Sequence, residues 1–359
     1  MKLVNESGLW TTGIAPAPLP AVVLLEVSGA VLSWPVDDPS EQPVISFTDV
    51  ARADWMWRVL GEPGHVAVVE ALNGAGPSTV VELPAVSVPP GAADSLRRLA
   101  LGHWLRRWWP ASGWDGITAL DRALLDAELA VLTAAAEEYF TDDTLDSDVA
   151  GLLAPHSAAL GTYRDPRVDV LVERCRDLAD EVGLDWHAPA VGAPRQADYA
   201  LAAGPAEPLR PSGVIATGDA TIAWSGVPPG IFDAAERNLA WAVVGEDGMV
   251  TARLRSAVSG PDSAAGIPAS LRCGEFHATG VLDAEGAAVL PVLDADGLPA
   301  GEAQAWNIDW SVAEVSAGTG GAAESIELRA RIRAFARARL AAPAADAFLA
   351  ELLAAESDY

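Results

Sequence analysis

Lysine is nearly missing from this chain of 359 residues: of its 23 basic residues, all but Lys2 are arginine. That absence excludes several chemistries. A phosphate-cradling G-x-x-x-x-G-K-[ST] loop cannot be present, because no lysine follows a glycine. A kinase-type strand lysine, a pyridoxal Schiff base and an ammonium clamp on a phosphoryl group lack their residue too. Cysteine is almost as scarce. Cys175 and Cys273 are the only two, which argues against a disulfide scaffold and for a reducing, cytoplasmic setting. No stretch approaches the roughly 18 apolar residues of a membrane span. The run at 21–25 is too short and too late for a secretory core, and Glu26 ends it. Positive charge is in deficit as well: 50 acidic residues oppose the 23 basic ones, for a net charge of -27. Such a field disfavours nucleic acid and anionic lipid surfaces as partners.

What is present reads as a globular α+β chain, half hydrophobic and 20% charged. Its length predicts more than one core. Residues 1–90 are strand-rich, with short apolar or β-branched runs at 21–27, 31–36, 43–47, 65–71 and 79–88 separated by turn residues. A helical insert is expected over 49–60. Helices follow over 92–109, 115–140, 147–160 and 166–182, the last framed by Pro166 and Gly183. Proline and alanine then accumulate over 188–212, which marks a linker. Beyond it, strand runs recur through 213–316, and about seven strands in that length predict an antiparallel β-sandwich. The run 305–315 alternates strictly and is expected to be one of them, as is 250–255. Turns are expected at 246–248 and 294–297. The organisation expected is an N-terminal α+β domain (1–187), a linker (188–212), a β-sandwich domain (213–316) and a helical tail (317–359).

Two clusters are candidate partner-binding surfaces. Trp104, Trp108 and Trp109 lie on one helix with Arg97, Arg98, Arg106 and Arg107, residue types that dominate interface hot spots. Such a helix is more often buried, its arginines snorkelling or paired, and Asp121 and Glu128 on the next helix could pair with them. In the tail, Arg329, Arg333 and Arg337 share one helical face and Leu328, Ile332 and Phe335 another. That helix packs at home, docks on a partner, or contacts anionic nucleic acid.

Other constellations carry less. A di-iron reading of the helical carboxylates lacks the two Glu-x-x-His segments such bundles use. Asp142, Asp143, Asp146 and Asp148 form an acidic run that fits helix capping better than a cation. Asp294-Ala295-Asp296-Gly297 has the D-x-D-G of haloacid-dehalogenase nucleophile loops. Leu298 replaces the hydroxyl residue expected there and no lysine supports it, so it reads as a hairpin turn. Cys273 and His277 on one strand would stand too far apart to share a metal. Trp224, Trp241, Trp306 and Trp310 could form a sugar platform or a sandwich core.

These patterns lead to a non-catalytic binding or scaffolding component of a cytoplasmic multiprotein system, with no cofactor, whose partner is another protein or a second copy. A metal-dependent hydrolase and a carbohydrate-binding module are the alternatives.

Overall fold

Alternating apolar residues build the first sheet. The computed structural model describes residues 1–6, 8–14, 17–74, 80–137, 139–140, 148–186, 213–260, 262–320 and 323–357. Asp142, Asp143, Asp146 and the linker 188–212 lie outside these residues. Strands β1 (Lys2–Glu6), β2 (Leu9–Thr11), β3 (Val22–Val27), β4 (Ala30–Pro35), β5 (Val44–Phe47) and β6 (Val80–Glu82) pair in the order β3-β4-β5-β2-β1-β6. All these pairings are antiparallel. In β3, Val23, Leu25 and Val27 point into the core while Leu24 and Glu26 point out. Gly29 closes the β3–β4 hairpin at φ 71°, where a Cβ would lie 2.1 Å from the Asp49 carbonyl oxygen. Only glycine fits there.

The helices follow their caps and apolar stripes. They are α1 (Met56–Gly74), α2 (Asp94–Trp108), α3 (Arg122–Glu137), α4 (Val149–Leu153), α5 (Ser157–Leu160) and α6 (Pro166–Glu181). α6 starts as its sequence predicts: the Asp165 carboxylate accepts the Arg167 N–H at 2.8 Å, and Pro166 fills the first position. α1 corrects one expectation, because 65–71 is helical rather than a strand. Met56, Val59, Leu60, Gly64 and Val68 are its buried residues, at helical spacing, and that packing outweighs the β preference of its valines. Gly61, at φ 71°, and Pro63 kink it. α3 begins later than expected, because residues 112–117 close a bridged loop instead.

The later strands are β7 (Val214–Ala220), β8 (Leu239–Glu246), β9 (Met249–Ser256), β10 (Pro268–Cys273), β11 (Phe276–Val281), β12 (Ala287–Pro291) and β13 (Glu314–Ala317). They form two antiparallel sheets, β12-β9-β8-β7 and β11-β10-β13. Trp241, Leu254, Leu271, Ala278 and Leu290 are buried in the core shared by these sheets. Asp247 and Gly248, both at positive φ, make the expected β8–β9 turn. Two expectations fail here. Cys273 and His277 lie on successive strands, where Arg272 opposes His277 and Cys273 opposes Phe276. Residues 305–315 are not one strand. They pass from the one-turn helix α7 (Glu302–Ala305) through a second short turn, Trp310–Val312, before β13. Local side-chain bonds win over alternation: Asn307 Nδ2 donates to the Ala303 carbonyl at 2.7 Å, and the Asp309 carboxylate accepts the Ser311 N–H at 3.0 Å.

Buried apolar residues form two clusters. One joins the first sheet, α1–α6 and Ile332, Phe348 and Leu349 of the tail; the other fills the sandwich. The tail helices α8 (Ile326–Ala341) and α9 (Leu349–Ser357) therefore pack on the first core, with Phe335 edge-on to Trp104 at 5.6 Å. Trp224 and Ala234, although they follow residue 212 in sequence, also belong to the first cluster. No helix among the described residues is long and apolar enough to cross a membrane.

Candidate protein-binding surface at the seam of the two cores

The arginine face of α8 meets carboxylates from both cores. Arg329 grips Glu236 with two bonds, Nε to Oε1 at 2.8 Å and Nη2 to Oε2 at 2.7 Å. Arg333 Nη1 reaches the same carboxylate at 3.0 Å, and its Nε lies 3.2 Å from Asp115. Arg337 Nη2 closes on Asp115 at 2.7 Å while its Nε donates to the Asp115 carbonyl. The stripe at i, i+4 and i+8 thus becomes a ladder, Arg329–Glu236–Arg333–Asp115–Arg337. Arg329 and Arg333 are buried, so water competes little for them. The Arg329 and Arg333 hydrogen bonds hold Glu236 below its ordinary carboxylate range despite partial burial. Arg329 also donates to the Glu324 carbonyl, and the Glu324 carboxylate accepts the N–H groups of Trp224 and Ser225 at 3.0 and 2.8 Å.

The tryptophan helix supplies the other side of the seam. Arg107 stacks over Trp108 at 4.2 Å and donates to the Trp224 and Ser225 carbonyls. Trp104 is buried, with its indole N–H on the Pro20 carbonyl at 2.7 Å. Trp109 donates to the Thr118 carbonyl at 2.9 Å. Arg106 turns away from the seam to Asp126, at 2.7 Å. Between the end of α2 and residues 222–238 remains a cavity of about 40 Å³ lined by Arg107, Trp108, Trp224, Phe232, Asp233 and Asn238, among others. That is room for a few waters at most. All eight sequence-predicted residues are thus engaged within the chain itself, and seven of them gather along α2 and α8 around this seam or the packing beside it.

What this scaffolding holds in place is the loop 111–117. The Ser112 and Ile117 backbones bond to each other at 2.9 and 2.8 Å, and the Ser112 hydroxyl accepts the Asp115 N–H at 3.0 Å. From the sandwich side, Asp233 accepts the Gly113 N–H at 2.8 Å, and Ala234 N–H donates to the Ala111 carbonyl at 2.9 Å. Arg333 and Arg337 fix Asp115. Between these anchored neighbours, Trp114 stands 66% exposed, and its indole N–H bonds to no described residue.

The sequence reading missed Trp114, Asp115, Glu236 and Asp126. The Gly113-Trp114-Asp115-Gly116 string was the available signal for the first two, since a tryptophan flanked by turn residues cannot face a helical core. Asp126 is the hub that Asp121 and Glu128 were expected to be. It is 2% exposed and accepts from Arg106, from Arg122 at 3.0 Å and from His156 at 3.0 Å. Glu128 does pair with Arg98, at 3.2 Å, whereas Asp121 caps α3 through the Leu124 N–H and receives the Tyr163 hydroxyl.

Other reactive groups are shielded. Burial pushes the Cys175 thiol up to about 12 and raises that of Cys273. Burial, with Arg106 nearby, pushes His103 down, which keeps its ring neutral at pH 7. Among the described residues no three His, Cys, Asp or Glu side chains gather as a metal site. Of the four tryptophans considered as a sugar platform, Trp224, Trp241 and Trp310 are buried and only Trp306 is open, at 55%. No protein-family model, curated protein or solved structure matches the chain.

Proposed function

We propose that the chain is a non-catalytic, protein-binding component of a cytoplasmic multiprotein system, with Trp114 as its anchor for a partner. The supporting observation is an exposed Trp114 between two neighbours that are each held by hydrogen bonds. An open tryptophan is costly in water, and tryptophan is the residue type most often found as an interface hot spot. Here both neighbouring residues are held by groups from two other parts of the chain. A loop ordered in advance loses little entropy on association, so most of the burial of the ring appears as affinity. On this reading Arg333 and Arg337 act as positioning residues behind the anchor rather than as contacts to the partner.

Affinity capture with the full chain tests this. Wild type, Trp114→Ala and Trp306→Ala would be immobilised, and retained proteins from the native lysate quantified by mass spectrometry. Wild type and Trp306→Ala should retain the same partner near stoichiometry. Trp114→Ala should weaken its binding about 30-fold, the factor for a 2 kcal/mol hot spot. Equal retention by all three would refute the anchor, and no stoichiometric partner on wild type would refute the binding role.

A further inference from the structure

A second surface, independent of that reading, lies where residues of α3, α6 and α9 line a common groove. Val170 of α6 is 59% exposed. Together with Leu171 it lines a groove of about 320 Å³, with Val131 and Leu132 of α3 and Leu349 and Leu352 of α9. Arg98, Arg167 and Arg174 sit around the same groove, and Glu128 is the one carboxylate in its lining. Arg167 is already shared by Asp165 and Glu356, and Arg98 by Glu128. Arg174 is exposed and makes no hydrogen bond or ion pair among the described residues. Its guanidinium is therefore available to an anion beside the apolar floor, on a chain whose net charge is -27. The volume falls within the range of small-molecule sites, roughly 300–1,000 Å³.

We propose that this groove binds a small amphiphilic anion, a medium-length acyl chain ending in a carboxylate. The chain lies on the Val131, Val170 and Leu352 floor and the carboxylate lies between Arg98 and Arg174. The shape supplies apolar burial, and the guanidiniums supply charge-assisted bonds that a neutral head group cannot replace. Glu128 couples the site to protons. Burial pushes its carboxyl up to about 7, opposed by the Leu349 N–H and by Arg98 and Arg174, and reinforced by Glu351 of α9. Once protonated, Glu128 frees Arg98 for the ligand. Binding therefore takes up a proton and tightens as pH falls through 7.

Isothermal titration of the full chain with decanoate, below its micelle-forming concentration, tests this, with decanol and decyltrimethylammonium as head-group controls. Saturable binding of one decanoate per chain is expected, with decanol at least about tenfold weaker and the cation not binding. Arg174→Ala should cost decanoate a similar factor. Val170→Asp, at an exposed position, should abolish binding while circular dichroism stays unchanged. Titrations in buffers of different ionisation enthalpy should show proton uptake in wild type and none in Glu128→Gln. The proposal is overturned by absent or unsaturable decanoate binding, by equal affinity for decanol, or by undiminished binding in Val170→Asp or Arg174→Ala. Proton uptake that persists in Glu128→Gln would overturn the role given to that residue.

Discussion

Asp126, the buried carboxylate of α3, gathers three basic side chains. Burial alone would raise its carboxyl, but hydrogen bonds from His156 and Arg122, with the charges of Arg122 and Arg106, outweigh this and leave it below its ordinary value. Replacing one member of a buried pair costs roughly 3–5 kcal/mol. Arg106 and Arg122 keep 35% and 46% of their side chains in water, so the loss here is smaller. Asp126→Asn is expected to destabilise by about 2 kcal/mol in urea denaturation at pH 7. A depressed folded value means that the stabilisation is complete above the unfolded carboxyl value of about 3.9 and is lost as pH falls through the folded one. Wild type and variant should therefore converge in stability in strong acid, and a difference that stays constant with pH would count against the hub. The sequence offered one clue to Asp126, its i, i+4 spacing from Arg122. His156 lies 30 residues away, and no periodicity points to it.

At the scale of elements, the sequence showed those whose own residues determine them. The β3–β4 hairpin, the α6 caps and the β8–β9 turn each follow from local chemistry. Elements decided by neighbours were misread: α1 took its helix from the core it packs on, and 305–315 lost its alternation to local hydrogen bonds. Gly102 shows how tightly neighbours can constrain a helix. A Cβ there would stand 2.5 Å from Leu129 Cδ2 and 2.8 Å from Phe348 Cζ, so α2 approaches α3 and the tail only because this residue has no side chain. Alanine ordinarily gains up to about 1 kcal/mol over glycine within a helix. Overpacking costs about 1–3 kcal/mol and should win here. Gly102→Ala is expected to lower the denaturant midpoint. Gly74→Ala, where a Cβ meets nothing within 4 Å, should leave it unchanged or raise it. The opposite ranking would show that α2 and α3 are not pressed together.

For the molecule as a whole, the ladder on α8 ties Glu236 and Asp115, distant in the chain, to one helix. Its partners are far apart in the chain: Arg333 and Glu236 are 97 residues apart, and Arg337 and Asp115 are 222 apart. Sequence patterns could place the three arginines on one face but could not say what that face would meet. Their pairing within the chain leaves the Trp114 loop as the outward feature of the seam, and on the proposed reading that loop stays anchored while Asp233, Arg333 and Arg337 keep their bonds to it. Scanning calorimetry of the intact chain at pH 7, with and without Arg333→Ala, tests this most directly. Arg333 is 8% exposed and bridges Glu236 to Asp115, so its loss should weaken the seam by about 3 kcal/mol. Wild type should unfold in a single transition with equal calorimetric and van't Hoff enthalpies, and Arg333→Ala should separate it into two. Two transitions already present in wild type, or one unchanged transition in the variant, would contradict the account.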